Sequence, residues 1–341
     1  MSDKTPSEVE SLLISYPDGL KELSLICHEC GIPSSVLNVI APWPSLRSLT
    51  LNLDLESIPT LPLHIPQPFA ALTHLHILSD DTLDLFISFL RAFQILNFNP
   101  SYNHSIPSSN LKRIQFYAGG CSPANTWSQF LTSLTHTNTR LEHLILIEKS
   151  DSQCLQPSSF NFRPLLAHQS LTNLSTLVLF PGCTTSIILT DPDIFTLART
   201  CPNLHILDLG LWSTPVSLHA LNILVRRCRE LREVSLCLDA RVNALEDSEH
   251  ADDDNENQGG LQPNTRLIKL ELGDSPIVYV GSWTELTVSI PRFLHAMAPR
   301  LEGITERGWS HGAFRVPWQH VSDALWMLTD EEGDDGGWGA R

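Results

Sequence analysis

A short leucine pattern, L-x-x-L-x-L, recurs along nearly the whole chain and constrains its fold more than any other feature. Isoleucine, valine or phenylalanine replaces leucine at some positions, and a degenerate tenth copy begins at Leu301. Consecutive copies begin 26 to 39 residues apart. The nine well-formed copies begin at Leu20, Leu46, Leu72, Leu111, Leu141, Leu174, Leu204, Leu231 and Leu267.

The alternation within L-x-L indicates a short strand with one buried face. One such strand cannot bury its face alone, whereas parallel stacking of neighbours builds a shared core. The pattern is typical of leucine-rich repeats, whose units run about 20–29 residues, so several copies here contain insertions. We therefore predict an α/β leucine-rich-repeat solenoid forming one domain over 1–329. Its curved parallel sheet would have helices or irregular crossovers on the convex side.

Parallel strands need return crossovers, and several gaps have helical spacing. Ser217 is predicted to cap one helix, and Asp191 or Asp193 another. Ser289 is expected to open a third, because Pro291 follows within the first turn. The proline-rich stretch 58–68 cannot form a regular helix, so we expect an extended crossover there.

Charge is distributed unevenly. Lys and Arg number 22 and Asp and Glu 38, a net charge of −16, of which seven acids lie in 246–256 and five in 330–335. This balance argues against a nucleic-acid partner, since phosphate contacts need clustered Lys and Arg. We expect disorder in an acidic insertion, 244–263, and in a tail, 330–341. Each segment is either an addition that the fold tolerates or a segment that attracts a basic partner electrostatically.

The sequence also bounds the compartment. No apolar run approaches 18 residues, so we predict no membrane span and no membrane partner. The first ten residues contain no apolar secretory segment, which makes the cytoplasm or nucleus the default. The eight cysteines are accordingly expected to be thiols.

Motifs for chemistry are sparse. The sequence contains no phosphate-binding loop, nucleophile elbow or zinc-protease motif. His74 and His76 share a predicted strand face, and Cys27 and Cys30 form a lone CxxC, but neither pair makes a metal site by itself. We therefore predict no cofactor and no metal. Cys237, in a Cys-x-Asp phrase, leaves a cysteine-dependent enzyme as a remote alternative.

Two repeats share a cysteine three residues before their first leucine, at Cys201 and Cys228. Three later segments have a similar wording to known sequences: RLIKLELGDSPI at 266–277, VSIPRFLHAMAPRLEGI at 288–304 and WQHVSDALWML at 318–328. Together they resemble the F-box-like leucine-rich-repeat proteins of mushroom-forming fungi. The resemblance implies that the cysteine ends a helix and packs inward, and that the repeats hold substrates for a ubiquitin ligase.

Members of that family typically begin with an F-box that docks on a cullin adaptor. Residues 32–40 (IPSSVLNVI) imitate its opening, but the next repeat begins at Leu46, which leaves no room for the remaining helices. The F-box is therefore not found, and we do not expect docking on a cullin adaptor from this resemblance.

The outward residues of the central repeats predict a partner site. Two columns beside the leucines turn apolar there, and exposed apolar clusters with an aromatic rim mark protein interfaces. A loop over 97–110 covering the patch as a second core is the alternative. The predicted partner-binding residues are Leu78, Tyr117, Ile145, Ile147, Val178 and Phe180, with Trp212 at the edge.

These observations favour a non-enzymatic leucine-rich-repeat module that binds another protein, as the substrate-recognition part of an F-box-type ubiquitin ligase system. A stand-alone scaffold or sequestering inhibitor with no ubiquitin link is the alternative.

Overall fold

The computed structural model of the chain divides into two compact units. Unit 1 comprises 1–171 with 179–186, and unit 2 comprises 172–178 with 187–341. The structure describes residues 6–16, 19–27, 31–54, 57–58, 68–93, 95, 110–135, 140–149, 157–166, 171–182, 185–210, 213–240, 262–272, 275–277, 283–306 and 315–333.

Unit 1 contains five parallel strands that pair in chain order. Their second pattern residues align across the strands, as in the pairs Leu49 with Leu75 and Ile114 with Leu144. The strands are β1 (Glu22–Leu25), β2 (Ser48–Leu53), β3 (His74–Ser79), β4 (Arg113–Ala118) and β5 (His143–Glu148). Helix α1 (Pro6–Ile14) precedes β1. The segments that follow the strands include α2 (Ser34–Ile40), α3 (Leu83–Ala92), α4 (Ala124–Thr135), β6 (Ser158–Asn161) and α5 (Arg163–Leu166).

The helices of unit 1 cover one face of these strands. Phe86 of α3 stacks on Phe116 of β4, with ring centroids 4.7 Å apart. Phe130 of α4 lies 5.8 Å from Phe86, so a continuous aromatic core joins both helices to the sheet. The strand residues between the core positions therefore face away from the helices.

Unit 2 repeats the scheme. β7 (Thr176–Phe180) crosses the division between the units, and its first three residues belong to unit 2. Parallel pairing continues through β9 (Ile206–Asp208), β11 (Glu233–Leu236), β13 (Lys269–Leu272) and β14 (Ile304–Glu306). β8 (Thr185–Ile188) also crosses the division, and β10 (Val216–Ser217) and β12 (Leu238–Asp239) are short strands of unit 2. The helices are α6 (Asp191–Thr200), α7 (Leu218–Arg227), α8 (Trp283–Met297) and α9 (Arg315–Gly333).

The predicted α/β leucine-rich-repeat fold class is confirmed by these parallel strands and helical crossovers. All three pattern residues are buried in repeats two to nine, as are Leu301 and Ile304 of the tenth. The first repeat is only partly covered. The prediction of a single domain over 1–329 stays a prediction.

Helix caps follow the sequence with two differences. Ser217 caps α7 as predicted, accepting the Ala220 N–H at 3.1 Å. For α6 the cap is Thr190, and Asp193 reciprocates by accepting the Thr190 N–H. α8 begins at Trp283 rather than near Ser289, so Pro291 lies inside the helix.

One buried position recurs three residues before the first leucine of a repeat. Cys201 and Cys228 occupy it, and they are the C-cap residues of α6 and α7. Both are fully buried, and burial raises the pKa of each thiol to about 12. In the ninth repeat Asn264 takes the same position, and its Nδ2 lies 3.1 Å from the carbonyl oxygen of Cys228. Cys228 Sγ likewise lies 3.4 Å from the carbonyl oxygen of Cys201, so in the eighth and ninth repeats this position contacts the preceding repeat.

The last helix closes the tenth repeat. Trp318, Val321 and Leu325 of α9 are buried, and the Trp318 indole N–H donates to the Ser275 carbonyl oxygen at 2.9 Å. α9 ends at Gly333. The predicted insertion 244–263, apart from its last two residues, and the tail beyond Gly333 lie outside the described residues. None of the helices that the structure describes is both long and apolar enough to cross a membrane.

The cysteines differ in state. Cys27, Cys201, Cys228 and Cys237 are reduced thiols, whereas Cys121 is disulfide-bonded. The expectation that all eight cysteines are thiols is therefore wrong for Cys121.

Candidate functional site

The side of β3, β4 and β5 that points away from the helices forms the candidate site, here called the open face of unit 1. Strand pairing arranges its side chains in three rows, each crossing all three strands. The first row is His74, Arg113 and His143, the second His76, Gln115 and Ile145, and the third Leu78, Tyr117 and Ile147.

The structure brings four of the predicted binding residues together on this face. Leu78, Tyr117 and Ile147 are direct cross-strand neighbours, and Ile145 lies two residues before Ile147 on β5. All four are partly exposed. The third row is thus an apolar strip two strand spacings wide, or about 10 Å.

The other predicted residues are placed differently. Val178 belongs to unit 2, where it pairs with the acidic Asp208. Phe180 ends β7 and is partly exposed. Trp212 and most of the 97–110 loop lie outside the described residues, so the proposal that this loop covers the patch is not tested.

His76 lies beside the apolar strip. Its ring meets the Tyr117 ring edge-on, with centroids 5.4 Å apart. Its Nε2 is buried and has no hydrogen-bond partner in the described part of the chain. Burial lowers the pKa of the imidazole, so the ring is neutral near pH 7 and offers one hydrogen bond without a charge.

Arg113 is the feature that the sequence analysis missed. Its Nε is buried and, among the residues that the structure describes, has no hydrogen-bond partner. The preceding residue, Lys112, pairs instead with Glu142 at 2.7 Å. Strand alternation alone would have placed Arg113 on the open face, because it lies two residues before Gln115.

The corresponding face of unit 2 has a different character. It presents Asp208, Glu233 and Glu271, with Lys269 as the neighbouring cation. Lys269 Nζ lies 2.7 Å from Glu271 and 3.9 Å from Glu233. Lys269 pairs with both glutamates, and the paired rows of this face, as far as the structure describes them, contain charged side chains rather than an uninterrupted apolar strip.

Glu148 stands out among the buried carboxylates because it binds three donors. At 1% exposure, it accepts N–H groups from Ser122 at 3.1 Å, Gly182 at 3.0 Å and the Trp127 indole at 3.2 Å. Burial raises the pKa of the carboxyl, and these hydrogen bonds offset part of that rise. A Cβ at Gly182 would lie 2.8 Å from the Lys149 carbonyl oxygen, so only glycine permits this approach. Glu148 therefore fixes the loops beside β5 and has no open side for a substrate.

The cysteine candidates that the structure describes, Cys27 and Cys237, are not brought together in one site. Cys237 is 2% exposed, and its backbone N–H donates to the Ser213 hydroxyl at 3.1 Å. Cys27 is partly exposed, and Cys30 lies outside the described residues. His74 and His76 share a face as predicted, but no cluster of His, Cys, Asp or Glu within the described ranges is arranged to hold a metal.

Comparison with known proteins yields distant structural similarities. No protein-family model matches the chain, and no curated protein matches it. An internalin (inlF) from Listeria monocytogenes aligns with 87% of this chain at 15% identity and a TM-score of 0.42, and the match spans 63% of the internalin. A chain of the yeast Rad7 and Elc1 complex aligns with 92% of this chain and 87% of its own length, at 14% identity and a TM-score of 0.30.

Proposed function

We propose that this protein is a non-enzymatic leucine-rich-repeat module that binds another protein through the open face of unit 1. The observation that carries the proposal is the strip of Leu78, Tyr117 and Ile147 on three neighbouring strands. These side chains are partly exposed and lie opposite the helices, so they are not needed to build the core.

The strip has the composition of an interaction site. Apolar clusters that contain an aromatic side chain and have a polar border are common at protein interfaces. Here the border is formed by His74, His76, Arg113, Gln115 and His143. A non-enzymatic role agrees with the burial of Cys237 and with the use of Glu148 as a structural acceptor.

The test uses one substitution on the strip and one matched control. We expect Ile147→Asp to weaken capture of the native partner at least about tenfold, because it places a charge in a desolvated contact. Ile268→Asp alters a side chain of similar chemistry that is 41% exposed in unit 2 and should leave capture unchanged.

Thermal unfolding followed by circular dichroism verifies that both variants fold. Equal capture by folded Ile147→Asp and by Ile268→Asp would contradict the proposal. A folding defect of Ile147→Asp alone would instead identify this side chain as core.

A narrower proposal is that the module recognises substrates for an F-box-type ubiquitin ligase. It is supported only by the resemblance over 266–277, 288–304 and 318–328 to fungal F-box-like proteins. Co-purification of a cullin adaptor with the native protein tests it. A partner captured without any adaptor would favour the scaffold or sequestering inhibitor.

A further inference from the structure

The open face of unit 1 is one-sided in charge. None of the nine side chains in its three rows is acidic, whereas Arg113 is cationic and three are histidines. The protein carries a net charge of −16, so this sign is opposite to the chain average. A partner that docks here meets the cation Arg113 and no carboxylate among these nine side chains.

The unmet hydrogen bond of Arg113 specifies the chemistry that would complete the face. A buried donor without a partner destabilises the free protein, and a ligand that accepts from it removes that cost. Guanidinium groups bind carboxylates through two parallel hydrogen bonds, with geometry that neutral acceptors do not match. His76 lies on the adjacent strand, one row nearer the strip, and its ring nitrogen Nε2 is a second buried nitrogen without a hydrogen-bond partner among the described residues.

From these features we propose that the open face binds an extended acidic–apolar segment of a partner protein. A carboxylate of that segment pairs with Arg113, and a large apolar side chain packs on Leu78, Tyr117 and Ile147. This inference rests on the proposed function and specifies the partner of the same site.

Geometry sets the spacing of the two groups. Arg113 and Tyr117 are four residues apart on one strand, or about 13 Å between their Cα atoms. An extended peptide covers that distance in about four residues. The long arginine side chain reduces the length of peptide that must span this distance, so the carboxylate and the apolar residue should lie about three or four positions apart.

The experiment selects random linear peptides displayed on phage against the full chain. We expect the enriched sequences to carry Asp or Glu about three or four positions from a large apolar residue. A synthetic peptide of the enriched sequence is then compared with its Asn or Gln analogue by fluorescence anisotropy. Arg113→Gln should weaken binding of the acidic peptide about tenfold and leave the analogue unaffected.

Two further variants separate a specific pair from a general charge effect. Arg91→Gln removes the same charge from α3, on the helical side of unit 1, and should change affinity less than twofold. Arg113→Lys keeps the charge but loses the planar fork, so it should show an intermediate loss. This variant also gives a readout if Arg113→Gln folds poorly.

The outcomes distinguish this inference from the proposed function. Enriched peptides that require Ile147 but carry no acidic residue would overturn the inference and leave the proposed function standing. Equal effects of Arg113→Gln and Arg91→Gln would also overturn it. If no enriched peptide depends on Ile147, both proposals fail.

Discussion

At the scale of single residues, Glu148 shows how one buried carboxylate fixes several loops. We expect Glu148→Ala to lower the free energy of unfolding by about 3 kcal/mol or more, because three buried N–H donors lose their acceptor. Chemical denaturation measures the loss. Glu142→Ala, which removes the exposed pair with Lys112, should cost less than about 1 kcal/mol. Equal losses would contradict the role assigned to Glu148.

Glu148 also predicts a pH dependence. Its pKa is raised above the usual 4.5, so the native state holds the proton more tightly than the unfolded state. The resulting stability is fully present below pH 4.5 and is lost as the pH rises through the raised pKa. Glu148→Gln does not titrate, so the unfolding free energy of the wild type relative to that of this variant should fall as the pH rises above 4.5. A relative stability of the wild type that rose with pH would refute the raised pKa.

Cys201 and Cys228 should be unreactive in the native protein. Burial and a pKa of about 12 leave almost no accessible thiolate at pH 8. Iodoacetamide labelling followed by peptide mass spectrometry should modify both only after unfolding in guanidinium chloride. Cys27, which is partly exposed, is the internal control and should react first. Native labelling of Cys228 at the rate of Cys27 would show that the repeat opens locally.

At the scale of elements, the buried position three residues before a repeat joins neighbouring repeats of unit 2 at Cys228 and Asn264. The Nδ2 of Asn264 lies within 3.3 Å of the carbonyl oxygens of Val225, Cys228 and Leu231. Its Oδ1 accepts the N–H groups of Arg266 and Leu267. The side chain therefore joins the end of α7 to the start of β13.

We expect Asn264→Asp to lower the free energy of unfolding by about 3 kcal/mol or more, because a carboxylate would face three carbonyl oxygens in a buried site. Denaturant unfolding measures it. Asn203→Asp is the control, since that amide is exposed and bonds a single carbonyl at 3.1 Å. A comparable loss in both variants would mean that burial of Asn264 is not the cause.

Many of the strands and helices could be predicted from the sequence, because the spacing of apolar residues shows which positions face the core. It located the ten repeat strands and the cap at Ser217. It did not locate β6, β8, β10 or β12, since these strands have two to four residues and too little alternation to detect. It placed the start of α8 near Ser289 because Pro291 suggested a first turn, whereas the helix continues through this proline.

The candidate site was predictable only in its apolar part. The hydrophobic residues beside the pattern leucines included Leu78, Tyr117, Ile145 and Ile147, and Arg113 was not among them. Whether an arginine is paired or unmet depends on its neighbours across strands, and a single sequence does not contain that information.

At the scale of the whole molecule, the acidic segments are predicted to be separable from the fold. Outside 246–256 and 330–335 the chain has 26 acids and 22 bases, so its remaining charge is −4. We expect replacement of 244–261 by a short Gly-Ser linker to change the free energy of unfolding by less than about 1 kcal/mol, because loop length affects closure entropy only weakly. Cooperative unfolding by circular dichroism measures it. A large loss would show that the segment contributes to the fold.

The division into two units carries no comparable sequence signal. The copies that begin at Leu141 in unit 1 and at Leu174 in unit 2 are 33 residues apart, well within the range of the other steps. Periodicity counts repeats, whereas the grouping of repeats depends on which crossovers pack together.

On β3 to β5, core residues and open-face residues alternate one by one along the backbone. The two sets of residues can therefore change independently in evolution. Substitutions at Ile114 and Phe116 affect folding, whereas substitutions at Arg113, Gln115 and Tyr117 affect the surface that a partner would contact. Point changes on one side of three strands would let descendants of this chain acquire new recognition specificities while inheriting the scaffold intact.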